Sequence, residues 1–308
     1  MFARIDHFFV LSPQTPGPMV PIMRSLFLPP SLRPSLRPFL RFFLRLLVVL
    51  LPAIGSAAGA ASRTAPPLPP FAQTGSDLRP DPAAHFGTLP NGLRYVIYPN
   101  HVPKGRASLR LLVIAGSLQE TEEQRGLAHF LEHMAFNGGT HFKAGTLVEF
   151  FQRMGMSFGG DTNASTSFDR TLYLLELPDT REATLAEGFS VLADDAGGLL
   201  LPPEMIEKER GIVLSEKRAR DSVSYRTFVS QFETTRGDTL FPKRIPIGLP
   251  EVIEHATRER FVDFWNTWYR PERMAVVVVG DVDVPAVERQ IVAAFSGIAA
   301  RAPARPDP

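Results

Sequence analysis

Residues 126–139 read GLAHFLEHMAFNGG and place two histidines and a glutamate inside an apolar segment. The apolar residues recur at helical spacing, which predicts a buried helix. Positions four apart lie on one face of a helix, so His129 and His133 can direct their imidazoles at one point, with Glu132 beside them. Neutral imidazoles are good zinc ligands, and a carboxylate next to the metal can accept a proton from water. The H-x-x-E-H pattern therefore predicts a zinc site. The alternative is a pair of histidines packed in a core, with Glu132 exposed.

A zinc site needs a third protein ligand, and a predicted helix over residues 203–221 carries four glutamates. At about 100° per residue, Glu209 and Glu216 nearly superpose. Carboxylates on an apolar stripe are unfavourable unless they are paired or bound to a metal. The stripe makes both glutamates candidates for the site but does not choose between them. It also contains the apolar residues Met205, Ile206, Ile212 and Val213.

The other two glutamates of this helix, Glu204 and Glu207, fall on its opposite side. They lie there among Lys208 and Lys217. A face rich in both charge signs is typical of a solvated surface. We therefore predict that this side of the helix faces solvent.

The basic character of the chain belongs to its first 61 residues, which hold six arginines and one aspartate. An apolar run and the small residues SAAGAAS follow the arginines, a pattern typical of a secretory signal peptide. We predict cleavage after Ala60 or Ala61, no stable membrane span after cleavage, and a periplasmic or secreted protein. The alternative is an uncleaved membrane anchor. The remaining 27 basic and 31 acidic residues give no basic patch for nucleic acid. The chain contains no cysteine, so disulfides are excluded.

The rest of the chain divides into three predicted segments. Residues 62–83 are rich in proline and lack periodicity, which predicts a linker. Residues 84–300 are predicted to form one domain, and residues 301–308 form a proline-rich tail that we expect to be a frayed end or a truncated linker. Strand-like and helix-like patterns come in groups within the domain, rather than in strict alternation. This grouping predicts an α+β fold, with helices packed on one face of a largely antiparallel sheet.

Four motifs in this order resemble the pitrilysin/insulinase family of zinc metallopeptidases with the inverted H-x-x-E-H motif, which includes mitochondrial processing peptidase. The resemblance covers about residues 84 to 300, as one half-domain of such a peptidase. It rests on GLAHFLEHMAFNGG, DTNASTSFDRTLYLLEL, IEKERGIVLSEKRAR and WYRPERMAVVVVGDVD.

The resemblance implies a zinc-dependent metalloendopeptidase that hydrolyses peptides or unfolded proteins. It implies one Zn²⁺ per chain, with His129, His133 and Glu216 as ligands. Glu209 matches a family carboxylate that orients a ligand histidine. The general base would be Glu132, which passes a proton from the metal-activated water to the leaving amine.

The resemblance also implies a substrate-binding strand. The family places an Asn-Ala pair on an edge strand beside the metal, which here is Asn163 and Ala164. A peptide could add to such an edge through backbone hydrogen bonds; the alternative is an ordinary hairpin strand. Phe136 and Asn137 follow the metal helix and are predicted to line the cleft, although Phe136 could equally belong to the core. The remaining histidines that we expect to be structural or exposed are His85, His101, His141 and His255.

Active members of the family resemble a clamshell in which a second homologous half closes over the metal-bearing half. We expect a second homologous domain or subunit as a partner, because the sequence after residue 300 shows no such half. The alternative function is a non-catalytic or partner-dependent subunit of a peptidase-like assembly. A complete ligand set argues against the non-catalytic alternative. A purely structural zinc site is disfavoured because such sites commonly use four ligands, often cysteines.

Overall fold

The computed structural model describes residues 71–157 and 159–308. The predicted signal peptide, residues 1–61, and residues 62–70 of the predicted linker lie outside the described residues. In the described part of the chain, no helix combines the length and the apolar character that crossing a membrane requires.

Six strands form one sheet in the order β1-β2-β6-β3-β5-β4. The β2–β6 pair is parallel, and the other four pairs are antiparallel. This confirms the predicted α+β class with a largely antiparallel sheet. The strands are β1 (His85–Thr88), β2 (Arg94–Pro99), β3 (Ala107–Val113), β4 (Thr162–Thr166), β5 (Thr171–Leu177) and β6 (Met274–Gly280).

Alternate side chains of the central strands are buried, as a half-covered sheet requires. In β3 the buried positions include Leu109 and Leu111. Leu109 is paired with Leu175 on β5 and Val278 on β6, so the three side chains form one buried row. The domain core lies between this face of the sheet and the helices.

Eight α-helices are present among the described residues, and those that contact the sheet cover the buried face. The third and eighth helices contact β3 and β2, and the first helix contacts β4 and β5. This confirms the predicted packing of helices on one face. The helices are α1 (Leu127–Ala135), α2 (Leu147–Arg153), α3 (Glu182–Ala193), α4 (Pro203–Arg220), α5 (Val223–Arg236), α6 (Pro250–His255), α7 (Arg258–Trp268) and α8 (Val284–Phe295).

The sequence patterns did not predict α5 and α6. Helix α5 carries Tyr225, Phe228, Val229 and Phe232 at helical spacing, a stripe that the sequence analysis did not use, and none of its residues is buried. Helix α6 has six residues, which is too short for a periodic pattern to be recognised.

The C-terminal tail was expected to be frayed, but the structure ties it to the domain. The Arg301 guanidinium lies 3.7 Å from the centroid of the Trp265 ring and donates to Tyr269 O at 3.0 Å. Asp307 accepts hydrogen bonds from the guanidinium of Arg273. These contacts could not be predicted from local sequence patterns, because the partners lie more than 30 residues apart along the chain.

The buried row predicts a clear difference between neighbouring residues of β3. We expect Leu109→Ala to lower the free energy of unfolding by about 3 kcal/mol, since it leaves a cavity under α3. The matched control is Arg110→Ala on the open face, where an exposed ion pair with Glu176 at 4.0 Å contributes less than about 1 kcal/mol. Urea denaturation measures both, and equal losses would contradict the assigned face.

Candidate metal centre

Helix α1 brings the two predicted histidines together. Eight of its nine residues are buried, because it packs between the sheet and helices α4 and α7. The Nε2 atoms of His129 and His133 lie 3.3 Å apart, and the two rings meet edge to face. The i, i+4 spacing therefore produces the convergence that the sequence predicted.

Helix α4 crosses α1 and supplies both candidate carboxylates. Glu216 lies with Oε2 3.3 Å from His133 Nε2 and Oε1 3.7 Å from His129 Nε2. Glu209 Oε1 instead accepts a hydrogen bond from His133 Nδ1 at 2.8 Å. The structure thus separates the two glutamates that the apolar stripe could not distinguish: Glu216 faces both Nε2 atoms, whereas Glu209 holds the far side of one imidazole.

The buried stripe of α4 differs in part from the predicted one. Ile206, Glu209 and Val213 are buried, but Ile212 is 48% exposed and does not belong to the stripe. Ile212 lies about 100° around the helix from Val213, which turns it away from α1. Lys217 was expected on a solvent face, but it is half-buried and donates to Gly248 O at 2.7 Å. Glu204 and Glu207 are exposed as predicted.

The three converging side chains fit a zinc ion. A group of three possible ligand atoms, one each from His129, His133 and Glu216, lies within 4.8 Å of one another. Among the described residues it is the only group of three or more His, Cys, Asp or Glu side chains that could hold a metal ion. Ligands at about 2.1 Å from a tetrahedral zinc are separated by roughly 3.4 Å, close to the 3.3 to 3.7 Å observed. Two imidazoles and a carboxylate are also a common ligand set for a catalytic zinc.

Burial and nearby charges keep two of the three candidate ligands in the deprotonated form that can bind a cation. Burial lowers the pKa of His129 to about 3, so its imidazole is neutral near pH 7. Although burial alone would raise the pKa of Glu216, contact with His133 and the positive charges nearby lower it to about 2. Arg220 contributes to this effect through a hydrogen bond to Glu216 Oε1.

His133 is the ligand candidate that still carries a proton to be displaced. Burial lowers its pKa, but hydrogen bonds with Glu209 and Glu216 outweigh burial and raise the pKa to about 9. Because a carboxylate only accepts, Nδ1 donates to Glu209 and the other nitrogen faces the site. A metal at Nε2 would replace the proton there.

Glu132 is buried beside the two histidines rather than exposed. Its Oε2 accepts a hydrogen bond from Thr166 Oγ1 at 2.5 Å, which ties α1 to the end of β4. Burial raises the pKa of Glu132 to about 7, against the opposing effect of the Thr166 bond. Sequence reasoning missed Thr166, because one threonine in the run DTNASTS looks like any other.

Asn137 contacts the site through its side chain. Its Nδ2 donates to Glu209 Oε2 at 3.1 Å and to His133 O at 3.0 Å. Both oxygens of Glu209 are therefore held, one by a histidine and one by an amide. Phe136 is half-buried and packs against the core. That Phe136 and Asn137 line a substrate cleft stays a prediction.

Asn163 and Ala164 lie on β4, at the edge of the sheet. Among the described strands β4 pairs only with β5, so its other side is an edge. Asn163 Oδ1 accepts a hydrogen bond from Ala164 N at 2.8 Å. The pair lies on the same short strand as Thr166, which contacts Glu132, so its predicted substrate role remains compatible with its position.

The other histidines lie apart from this group. His141 Nδ1 is 2.7 Å from Asp194 Oδ1, and His101 Nδ1 is 2.6 Å from Asp281 Oδ1. His255 contacts Glu251 O, and His85 is exposed on β1. All four residues are exposed, and His101, His141 and His255 each make a polar contact away from the three converging side chains, which agrees with their predicted structural or surface positions.

Comparison with known proteins identifies the family. The model of the insulinase family of peptidases, family M16, matches residues 95–233, and the model described as the M16 inactive domain matches residues 255–308. The chain belongs to the M16 peptidase family. The second match begins before β6, which lies between β2 and β3, so both matches contribute strands to one sheet.

Named relatives are zinc proteases. The chain is 35% identical over 207 residues to the probable zinc protease PqqL of Haemophilus influenzae, covering 67% of this chain and 22% of that protein. It is 36% identical over 197 residues to the probable zinc protease PqqL of Escherichia coli, covering 64% and 21%. The chain thus spans about a fifth of the length of these relatives. Their names support a zinc peptidase of the same kind.

A solved structure agrees with the fold. The first half of the periplasmic protease PqqL from Escherichia coli superposes with a TM-score of 0.71 at 34% identity, covering 75% of this chain and 50% of that one. The described domain therefore corresponds to part of the first half of an M16 protease.

The hydrogen bond between Glu209 and His133 predicts a specific loss of metal affinity. We expect Glu209→Gln to weaken zinc binding about tenfold, since carboxylates that orient a ligand histidine typically affect affinity by roughly 10 to 100-fold. Glu204→Gln, an exposed change on the same helix, is the matched control. Competition with a chelating dye measures both affinities, and an unchanged Glu209→Gln affinity would contradict the orienting role.

The pKa of His133 predicts how zinc affinity depends on pH. His129 and Glu216 are already in their ligand forms near pH 7, whereas His133 must release one proton below pH 9. Protons compete with the metal, so affinity should rise by about tenfold per pH unit between pH 6 and 8 and flatten above 9. The same dye competition, corrected for protonation of the dye, measures this slope. A flat profile from pH 6 to 8 would rule out a protonated His133 in the metal-free protein.

Proposed function

We propose that this chain carries the catalytic site of a zinc-dependent metalloendopeptidase, with His129, His133 and Glu216 as the ligands of one Zn²⁺. The observation that carries this proposal is the convergence of their donor atoms beside a buried Glu132. The zinc proteases among the relatives support the same class. Bound zinc would supply a Lewis acid that acidifies water and polarises a peptide carbonyl.

Glu132 is the proposed general base. Thr166 holds its Oε2, and no hydrogen bond in the described part of the chain occupies its Oε1. With a pKa of about 7, the carboxyl can accept a proton from the attacking water and later donate it to the leaving amine nitrogen. Glu209 and Asn137 would keep the imidazole of His133 in place throughout.

We further propose that the substrate is an extended peptide or an unfolded segment that pairs with β4. The strand has an open edge, and its end contacts the proposed base through Thr166. Backbone pairing at Asn163 and Ala164 would hold the peptide without requiring a particular sequence. The same pairing would place a backbone carbonyl beside Glu132.

The active assembly is proposed to include a second homologous half, either as a domain or as a subunit. The solved PqqL first half is twice as long as the part matched here, and the full-length PqqL structure is matched over 26% of its length. A second half could enclose the substrate and donate hydrogen bonds to its carbonyl. The partner-dependent alternative is this same site, inactive until that half is added. A periplasmic or secreted location is proposed from the leader pattern and from the periplasmic PqqL.

The test combines metal content with peptide cleavage for the chain without its predicted leader, residues 62–308. We expect one zinc per chain by elemental analysis for the wild type, for Glu132→Gln and for the exposed control Glu204→Gln. Cleavage of a quenched peptide library should fall by at least about 1000-fold in Glu132→Gln alone, because the variant lacks the proton acceptor. If the wild type needs a second half, the same comparison is made after that half is added.

The outcomes separate the two functions. Cleavage by the wild-type chain alone would establish a self-sufficient peptidase. One zinc with cleavage only after the second half is added would establish the partner-dependent form. One zinc without cleavage in either form would favour a non-catalytic subunit. The absence of zinc from the wild type would overturn the ligand assignment.

A further inference from the structure

The N-terminus of α1 is buried and has no capping side chain of its own. Gly126 occupies the N-cap position with φ of 102°, a left-handed conformation that glycine adopts readily. A Cβ at this position would lie 2.9 Å from the Cα of Gly248, so there is no room for one of the usual N-cap residues. The first N–H groups of the helix therefore need an acceptor from elsewhere in the chain.

Glu120 supplies that acceptor from six residues upstream. Its Oε2 accepts from Gly126 N at 3.0 Å, and its Oε1 accepts from Ala128 N at 2.8 Å. The residue is only 4% exposed, so water does not compete for these bonds. Arg244 holds the Glu120 backbone in turn, because its Nε donates to Glu120 O at 3.0 Å.

The two histidines of α1 differ in how they are held. Glu209 fixes the ring of His133 through Nδ1. The Nδ1 of His129 is buried and has no hydrogen-bond partner in the described structure. No hydrogen bond at Nδ1 therefore fixes the orientation of the His129 ring. The position of its Nε2 then depends more strongly on the position of the backbone in the first turn of α1.

We propose that Glu120 is a positioning residue of the metal centre, which fixes His129 by capping the first turn of α1 at Gly126 and Ala128. Ala128 directly precedes His129, so a shift of the cap moves the imidazole relative to His133 and Glu216. This inference rests on the proposed function, since it assumes that His129 is a ligand. It adds a residue that the sequence motif does not contain.

The proposal does not depend on the charge of Glu120. Burial raises the pKa of its carboxyl to about 8, while the two N–H groups oppose that rise. Both carboxyl oxygens lie within hydrogen-bonding distance of an N–H donor, so the cap needs two acceptor atoms at these positions. A glutamine keeps one acceptor but turns an NH₂ group towards the other donor, which leaves one buried N–H unsatisfied.

The test compares Glu120→Gln with Glu123→Gln. Glu123→Gln makes the same chemical change three residues away, where the Glu123 side chain is 75% exposed and pairs with Arg260. We expect Glu120→Gln to weaken zinc binding about tenfold and to alter the visible absorption spectrum of the Co²⁺-loaded protein, because both depend on ligand geometry. The rise in Tm on adding zinc should also shrink, since stabilisation by a ligand follows its affinity.

A merely structural role gives a different result. If Glu120 only stabilises the fold, Glu120→Gln will lower the Tm of the metal-free and zinc-loaded proteins equally, with unchanged affinity and Co²⁺ spectrum. That result overturns the inference and leaves the proposed function intact. A wild-type protein that binds neither metal overturns both. Wild-type binding together with a selective loss in Glu120→Gln supports both.

A second variant covers the case in which Glu120→Gln does not fold. Glu120→Asp keeps both acceptor oxygens but shortens the side chain by one methylene. The first turn of α1 must therefore shift to keep both hydrogen bonds, and no amide NH₂ group is placed opposite a backbone N–H. We expect a smaller loss of zinc affinity and a shifted Co²⁺ spectrum. Wild-type values for both measurements in the folded Glu120→Asp protein would contradict the positioning role.

Discussion

The hydrogen bond from His133 to Glu209 links the two helices that form the candidate metal centre. It joins α1 to α4 across 76 residues of sequence at a distance of 2.8 Å. The bond fixes which nitrogen of His133 faces the site, and it sets the face of α4 that meets α1. Glu216, seven residues further along α4, therefore lies against the same two imidazoles. Asn137 holds the second oxygen of Glu209, so the link is fixed from both sides.

The sheet places the proposed base and the proposed substrate strand together. Helix α1 packs against β4 and β5, and Thr166 at the end of β4 bonds to Glu132. Since β4 is an edge strand among the described residues, it offers open backbone groups on one side and contacts the proposed base, Glu132, through the side chain of Thr166. The position of the site at the edge of the sheet explains how a chemically simple group of residues could act on an extended peptide. The proposed second half would then enclose that edge.

The sequence predicted what local periodicity can encode. The i, i+4 histidines, the paired glutamates of α4 and the alternating strands all follow from a residue type at a fixed spacing. Periodicity could not distinguish Glu209 from Glu216, because both lie on one stripe and differ only in their contacts with α1. The family resemblance supplied the assignment of Glu216 as the predicted ligand. The prediction from periodicity was wrong for Ile212, which is exposed. It lies one residue, or about 100° around the helix, from the buried Val213. Thr166 and Glu120 were missed because their importance comes from what they touch: Thr166 meets Glu132 from 34 residues away, and Glu120 replaces a cap that Gly126 lacks.

Anomalous diffraction at the zinc edge from crystals of the zinc-loaded protein would test the proposed ligand set directly. We expect one strong peak within about 2.0 to 2.2 Å of Nε2 of His129, Nε2 of His133 and a carboxylate oxygen of Glu216. We also expect that Glu209 lies outside bonding distance of the metal while its bond to His133 Nδ1 remains. A peak bound by Glu209 in place of Glu216, or a zinc held elsewhere on the domain, would contradict the proposed metal centre.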